Sequence, residues 1–213
     1  MLIIGLALIP LLLQQSNLPI IQSSLRLPLV GFFYIAICLL GISAVFYPKR
    51  CKSIFNKSQN PIPEINSPLI KIAGHHPDCQ SYSGNRIRFR GRIVCAACTG
   101  LLIGGLAACA FAISCFFIGF SFPYSSMLLL VLGEICMLLG LTQIKTAGSL
   151  KVFVNAVFVI GSSITLIETD LLAGSMLVDF YVIGLIAFAL WIRIAFSEWN
   201  NRRICRNCQS CLQ

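Results

Sequence analysis

The sequence predicts an all-α, polytopic transmembrane helix bundle of five or six helices, with a small cytoplasmic zinc-knuckle or β-hairpin insertion. Three observations predict it. Of 213 residues, 57% are hydrophobic and only 11% are charged, whereas soluble domains carry about 25% charged residues. The mean hydropathy is +0.87, a load of apolar surface that a bilayer buries and a soluble fold of this length does not. The apolar stretches approach the ~20 residues that a helix needs to cross a membrane, and a single basic, cysteine-bearing segment interrupts them.

The N-terminal hydrophobic segment, 1–22, is the least regular. Residues 1–13 are apolar, Gln14-Gln15-Ser16-Asn17 interrupts them, and 18–21 resume. It reads as a span with the polar tetrad near the far interface, or as a re-entrant segment. The opening Met1-Leu2-Ile3-Ile4 has no basic n-region, so no cleavable signal is expected. Residues 29–47 form a clear span, begun by Pro28 where a missing N–H costs little and ended by Pro48-Lys49-Arg50. The basic loop 48–98 follows, its first part a linker rich in Asn, Ser and Pro. A four-helix region, 99–196, then divides into spans at 99–120, 124–141, 152–166 and 172–196. Residues 197–213 form a Cys-rich tail.

Charge gives the orientation. There are 16 Lys and Arg against 7 Asp and Glu. Residues 48–95 hold nine of the bases against Glu64 and Asp78, Lys145 and Lys151 fall in the next loop on that side, and Arg202, Arg203 and Arg206 lie in the tail. Arg193 is expected to snorkel from the last helix to water. The opposite loops, at 121–126 and 168–170, carry no base; Arg26 alone breaks the pattern. Cytoplasmic loops carry the excess of Lys and Arg, so the expectation is a multi-pass protein of the cell membrane with 48–98 and 197–213 in the cytoplasm. That compartment disfavours structural disulfides and favours metal ligation or redox chemistry.

Eleven cysteines are present. Cys38, Cys109, Cys115 and Cys136 lie in apolar runs and are expected to pack as small hydrophobes. The others need chemistry. His75-His76-Pro77-Asp78-Cys79 precedes Cys95-Ala96-Ala97-Cys98-Thr99-Gly100. Cys-x2-Cys is the bite of one tetrahedral metal ion, because a tight turn aims both sulfurs at one point. His76 and Cys79 share that spacing, and the interval between the pairs suits a zinc ribbon or knuckle. Between them, 86–94 alternates at period two through Phe89, with Gly91 offering a turn, which predicts a β-hairpin. Too small for its own core, such a ribbon would be folded by its metal. The expected ligands are His76, Cys79, Cys95 and Cys98, with His75 as an alternate or a supporting donor, and the expected ion is Zn²⁺. A redox dithiol at Cys95 and Cys98 is the competing reading.

This stretch, residues 74–105, resembles an uncharacterised prokaryotic integral-membrane family, domain of unknown function 2085, in its His-Pro/Cys cluster, short basic strand and Cys-Ala-x-Cys-Thr-Gly leading into a Gly-rich helix. Members of that family often carry Cys-His where this chain has His75-His76, and Cys-Ala-Arg-Cys where it has Cys95-Ala96-Ala97-Cys98. The resemblance implies a membrane location and a shared motif, and no activity.

The tail carries Cys205, Cys208 and Cys211 at Cys-x2-Cys-x2-Cys spacing. With Cys51 as a fourth ligand they could form a second zinc site or an iron–sulfur cluster; otherwise they are reactive thiols. Glu134 and Asp179 fall inside predicted spans. Intramembrane carboxylates are costly and mark function by default, the bland alternative being hydrogen bonds to Asn155, Ser162, Ser163 or Thr165. Gly100, Gly104 and Ala108 recur every fourth residue, a face that admits a close helix within the chain or, as the sharper alternative, a homo-oligomer seam. Arg86, Arg88, Arg90 and Arg92 suit anionic inner-leaflet lipid better than nucleic acid. No His remains for a catalytic triad, and no Walker A loop or His-Glu-x2-His is present. Three functions stay open: a non-enzymatic docking or scaffold module for a cytoplasmic protein partner, a small transport or substrate-binding subunit using Glu134, and a thiol-redox or iron–sulfur electron carrier.

Overall fold

The computed structural model describes residues 1–15, 25–46, 80–89, 92–120 and 127–206. Among them are six α-helices: α1 (Leu2–Gln15), α2 (Arg26–Phe46), α3 (Ala96–Phe116), α4 (Met127–Gly140), α5 (Gly148–Ala173) and α6 (Met176–Arg206). Strands β1 (Arg86–Phe89) and β2 (Arg92–Cys95) precede α3, and 3-10 turns cover Gln80–Asn85 and Leu141–Ile144. Five helices are long and apolar enough to cross a membrane: α2, α3, α4 with its 3-10 extension, α5 and α6. The chain is a multi-pass integral membrane protein, as the apolar runs require. Phe32, Leu40, Ile103, Leu128 and Trp191 stand outward, where lipid solvates them at no cost. The helix α1 has 14 residues, about 21 Å at 1.5 Å per residue, against a hydrocarbon core of ~30 Å. It buries Leu2, Leu6 and Ile9, and its Gly5 carbonyl accepts a hydrogen bond from Tyr181 of α6 at 3.0 Å.

The five spans alternate in direction around α5. Of the most apolar window of α5, 61% is buried, against 22–39% for the other four. Small residues let α3 and α4 approach it. A Cβ on Gly104 would stand 2.8 Å from the Ala156 carbonyl oxygen, and one on Gly133 2.9 Å from the Thr165 nitrogen. The small-residue face of α3 is therefore spent on α5, which is the intramolecular alternative and leaves that face closed to a second copy.

Boundaries differ from expectation at both ends of α5 and at the end of α6: α5 begins at Gly148 rather than 152, so Lys151 is helical and not in a loop. The expected loop at 168–170 is helical: α5 runs to Ala173 and buries Glu168, Thr169 and Asp170. It stops at Gly174, whose φ of +58° is left-handed and ends a helix without strain. Two residues later α6 begins, so Asp170 and Asp179 flank a tight turn. At its other end α6 continues through 197–206, beyond the expected span, with the Arg203 guanidinium 5.9 Å over the Trp199 ring one turn away.

The expected hairpin is present, antiparallel with Arg86 opposite Cys95, Ile87 opposite Val94, Arg88 opposite Ile93 and Phe89 opposite Arg92. It packs on the start of α5. A Cβ on Gly84 would lie 3.2 Å from that of Ala147, and the buried Lys151 ammonium donates to the Asn85 side-chain oxygen. The Leu141–Ile144 turn and Arg193 share this hairpin end, because Arg193 Nη2 donates to Gln143 Oε1 at 3.1 Å. Arg193 does not snorkel: it is buried, with its guanidinium 4.5 Å above the Phe158 ring.

Candidate functional site

At the hairpin end, strand pairing sets the site. Cys95 is the last residue of β2 and Cys98 lies in the first turn of α3. Cys95 is buried and Cys98 half-buried, and the Thr99 hydroxyl closes the turn by donating to the Cys95 carbonyl at 2.9 Å. Directly opposed residues on antiparallel strands share a face, so Arg86 stands on the Cys95 side of the hairpin. Lys151 reaches the same place from α5 and is in electrostatic contact with Cys95. Because Arg86 begins β1 opposite the end of β2, the Gln80–Asn85 turn leads the chain back to Cys95.

The described residues thus carry two of the four expected ligands. His75, His76 and Cys79 lie outside them, as do Cys51, Cys208 and Cys211. Cys205 falls in the last turn of α6. Among the described residues alone, no three His, Cys, Asp or Glu side chains converge as metal ligands would. The donor chemistry of the completed set suits zinc. Three thiolates and one imidazole on Zn²⁺ leave one negative charge, and Lys151 stands beside Cys95 to offset it. Sequence reading treats Lys151 as an ordinary loop base; its burial by the hairpin is a tertiary fact with no local signal.

A second polar system runs along α5 inside the bundle. Lys151, Asn155, Ser162, Ser163, Thr165, Glu168, Thr169 and Asp170 are all buried, over a rise of about 28 Å at 1.5 Å per residue. Midway, the buried Tyr34 hydroxyl of α2 lies 3.0 Å from Ser162 Oγ and 2.8 Å from Ser163 Oγ. Cys38, one turn along, is buried in the apolar core against which Cys109 of α3 packs. This is packing with local polar satisfaction, in keeping with the expectation for the apolar-run cysteines.

Glu134 sits mid-helix on α4, beside the Gly133 contact with α5, and its Oε1 is buried with no hydrogen-bond partner among the described residues. The partners that sequence suggests for the carboxylates are engaged elsewhere. Ser162 and Ser163 serve Tyr34, Thr165 donates to the Gly161 carbonyl and Asn155 to that of Lys151. Asp179 instead meets Arg26. Arg26 Nη1 lies 2.5 Å from Asp170 Oδ1 and 2.8 Å from Asp179 Oδ2. The base that alone breaks the charge pattern is thus neutralised by acids of α5 and α6. That exception was the available signal for Arg26; Asp170 gave none.

No family model matches the chain, and neither curated proteins nor solved structures yield a significant match.

Proposed function

We propose that this chain is a membrane docking or scaffold module whose basic loop is closed by one structural zinc ion, held by His76, Cys79, Cys95 and Cys98, with His75 as the alternate imidazole. The observation that carries the reading is the seating of the hairpin: Cys95 and Cys98 stand where β2 turns into α3, braced against the central helix by Lys151 and Asn85. A metal there would tie the basic loop to the core of the bundle and present a fixed surface. A closed four-ligand site leaves no coordination position for water or substrate, which suits structure rather than catalysis. By the excess of Lys and Arg, the loop faces the cytoplasm, where its surface meets anionic lipid headgroups and a protein partner. Arg88 is exposed for that purpose.

Elemental analysis of the purified full-length protein tests this. About one zinc per chain is expected from the four-ligand site, falling to background in Cys95→Ser/Cys98→Ser and persisting when Cys205, Cys208 and Cys211 are replaced by Ser. Zinc retained by the double variant, or none in any form, would remove the proposal.

A second reading is favoured by the buried polar face of α5 and the unsatisfied Glu134 oxygen. In it the bundle is a small transport subunit in which Glu134 binds a cation or proton in transit. Glu134→Gln is then expected to lower uptake into proteoliposomes at least tenfold with expression unchanged, an effect of the size that loss of one charge-assisted contact gives. Uptake at the wild-type rate would leave Glu134 as a packing residue.

A further inference from the structure

We propose that Arg26, Asp170 and Asp179 form an intramembrane proton-binding site, in which Asp170 and Asp179 hold one exchangeable proton between them. Both carboxylates bond the same nitrogen, at 2.5 and 2.8 Å, so their bonded oxygens are at most about 5 Å apart. The two carboxyl groups thus converge on one guanidinium nitrogen from the facing ends of α5 and α6. Two ionised carboxylates repel at that range; a proton between them makes the contact attractive. Charge balance points the same way, since one guanidinium cannot neutralise two carboxylates and the wholly buried Asp179 has no water to help.

A separate observation locates the proton. Asp179 Oδ2 accepts from Arg26, whereas Asp179 Oδ1 is buried with no hydrogen-bond partner among the described residues. An O–H at that atom donates to Asp170 and satisfies the orphan. Release breaks only this O–H bond, passes the proton to water and leaves the electron pair on Asp179. Exchange runs through the rim of the cluster, because the Arg26 side chain keeps 13% and the Asp170 side chain 7% of its exposure, against 0% for Asp179.

Among the described residues, no Lys or Arg other than Arg26 lies at this end of the bundle. On α5, Glu168 is buried nearby, and Cys115 of α3 is in electrostatic contact with both Asp170 and Glu168. On α6, Tyr181 is bonded to Gly5 of α1. The titratable side chains of α4 are Glu134 and Cys136, nearer the middle of the bundle, and α2 supplies Arg26 itself with Tyr34 and Cys38 two and three turns further on.

Infrared difference spectroscopy of the full chain in nanodiscs, in H₂O and D₂O, reads the proton directly. A protonated-carboxyl stretching band that shifts in D₂O is expected in the wild type. Its aspartate component should vanish in Asp179→Asn and persist in Glu134→Gln and Glu168→Gln. Aspartate labelled at the carboxyl carbon with ¹³C should move that component in unmutated protein, while labelled glutamate should not, which holds even if the variants fail to fold. A spectrum in which no component follows the aspartate label overturns the proposal; a further component that follows the glutamate label belongs to Glu134 or Glu168. Absence of the aspartate component with a melting temperature raised by Na⁺ or K⁺ would mean a cation site; absence with no ion effect, a fixed ion cluster only.

Discussion

Arg26→Gln is expected to destabilise the bundle by about 3–5 kcal/mol, the cost of removing one partner from a buried ion pair. The cause is what remains. Arg26 sits 2.5 Å from one acid and 2.8 Å from the other, and both acids stay buried when it goes, on helices that other contacts hold in place. Their charge then has no counter-ion in a medium that solvates ions poorly. The sign with pH follows. Protonation removes the uncompensated charge, so the deficit of Arg26→Gln should shrink as pH falls and grow as pH rises. A compensating change separates this from lost packing: Arg26→Gln/Asp170→Asn removes one charge of each sign and should recover part of the loss. Thermal unfolding of the four proteins of this cycle, in one detergent at several pH values, is the measurement. A deficit that is flat with pH, or a double variant worse than either single one, would mean that Arg26 acts through its aliphatic stem.

The same cluster marks how far local sequence reaches. The spans are legible because hydropathy over ~20 residues reflects a requirement each helix meets alone. The hairpin is legible because alternation at 86–89 expresses the geometry of a strand. The end of α5 is not. Glu168, Thr169 and Asp170 look like a loop, since three polar residues in a row are too costly for lipid unless something meets them. What meets Asp170 is Arg26, 144 residues earlier in the chain. For the same reason Asp179 is legible as an intramembrane acid while its partner is not, and Arg193 reads as a snorkelling base although Gln143 and Phe158 hold it inside. The metal motif lies between these cases. Its spacing is local and readable, but Lys151, the base set against Cys95, arrives from a helix that only the fold brings near.

Gly100→Ala is expected to cost about 1–3 kcal/mol, the range for overpacking a tight interior contact, and to lower zinc content with it. A Cβ there would overlap the Val152 carbonyl oxygen and stand 2.7 Å from the Asn155 Cβ. Backbone oxygen cannot swing aside as a long side chain can, so α3 itself must move from α5. Gly184→Ala is the control: nothing lies within 4 Å of its Cβ, and glycine to alanine in an open helical position is neutral or stabilising by up to ~1 kcal/mol. The coupling to zinc rests on distance along the chain. Cys98 is two residues before Gly100 on the same helix, while Lys151 and Asn155 belong to the helix that α3 would leave. Displacing α3 therefore draws both cysteines away from Lys151 and strains the seat of the hairpin. Melting temperature and zinc per chain, measured on the same preparations, separate the two effects. If both fall in Gly100→Ala and neither in Gly184→Ala, the metal and the α3–α5 contact form one unit. If melting falls while zinc stays at its wild-type content, the knuckle folds independently of the helix beneath it, and its part in fixing the bundle is withdrawn.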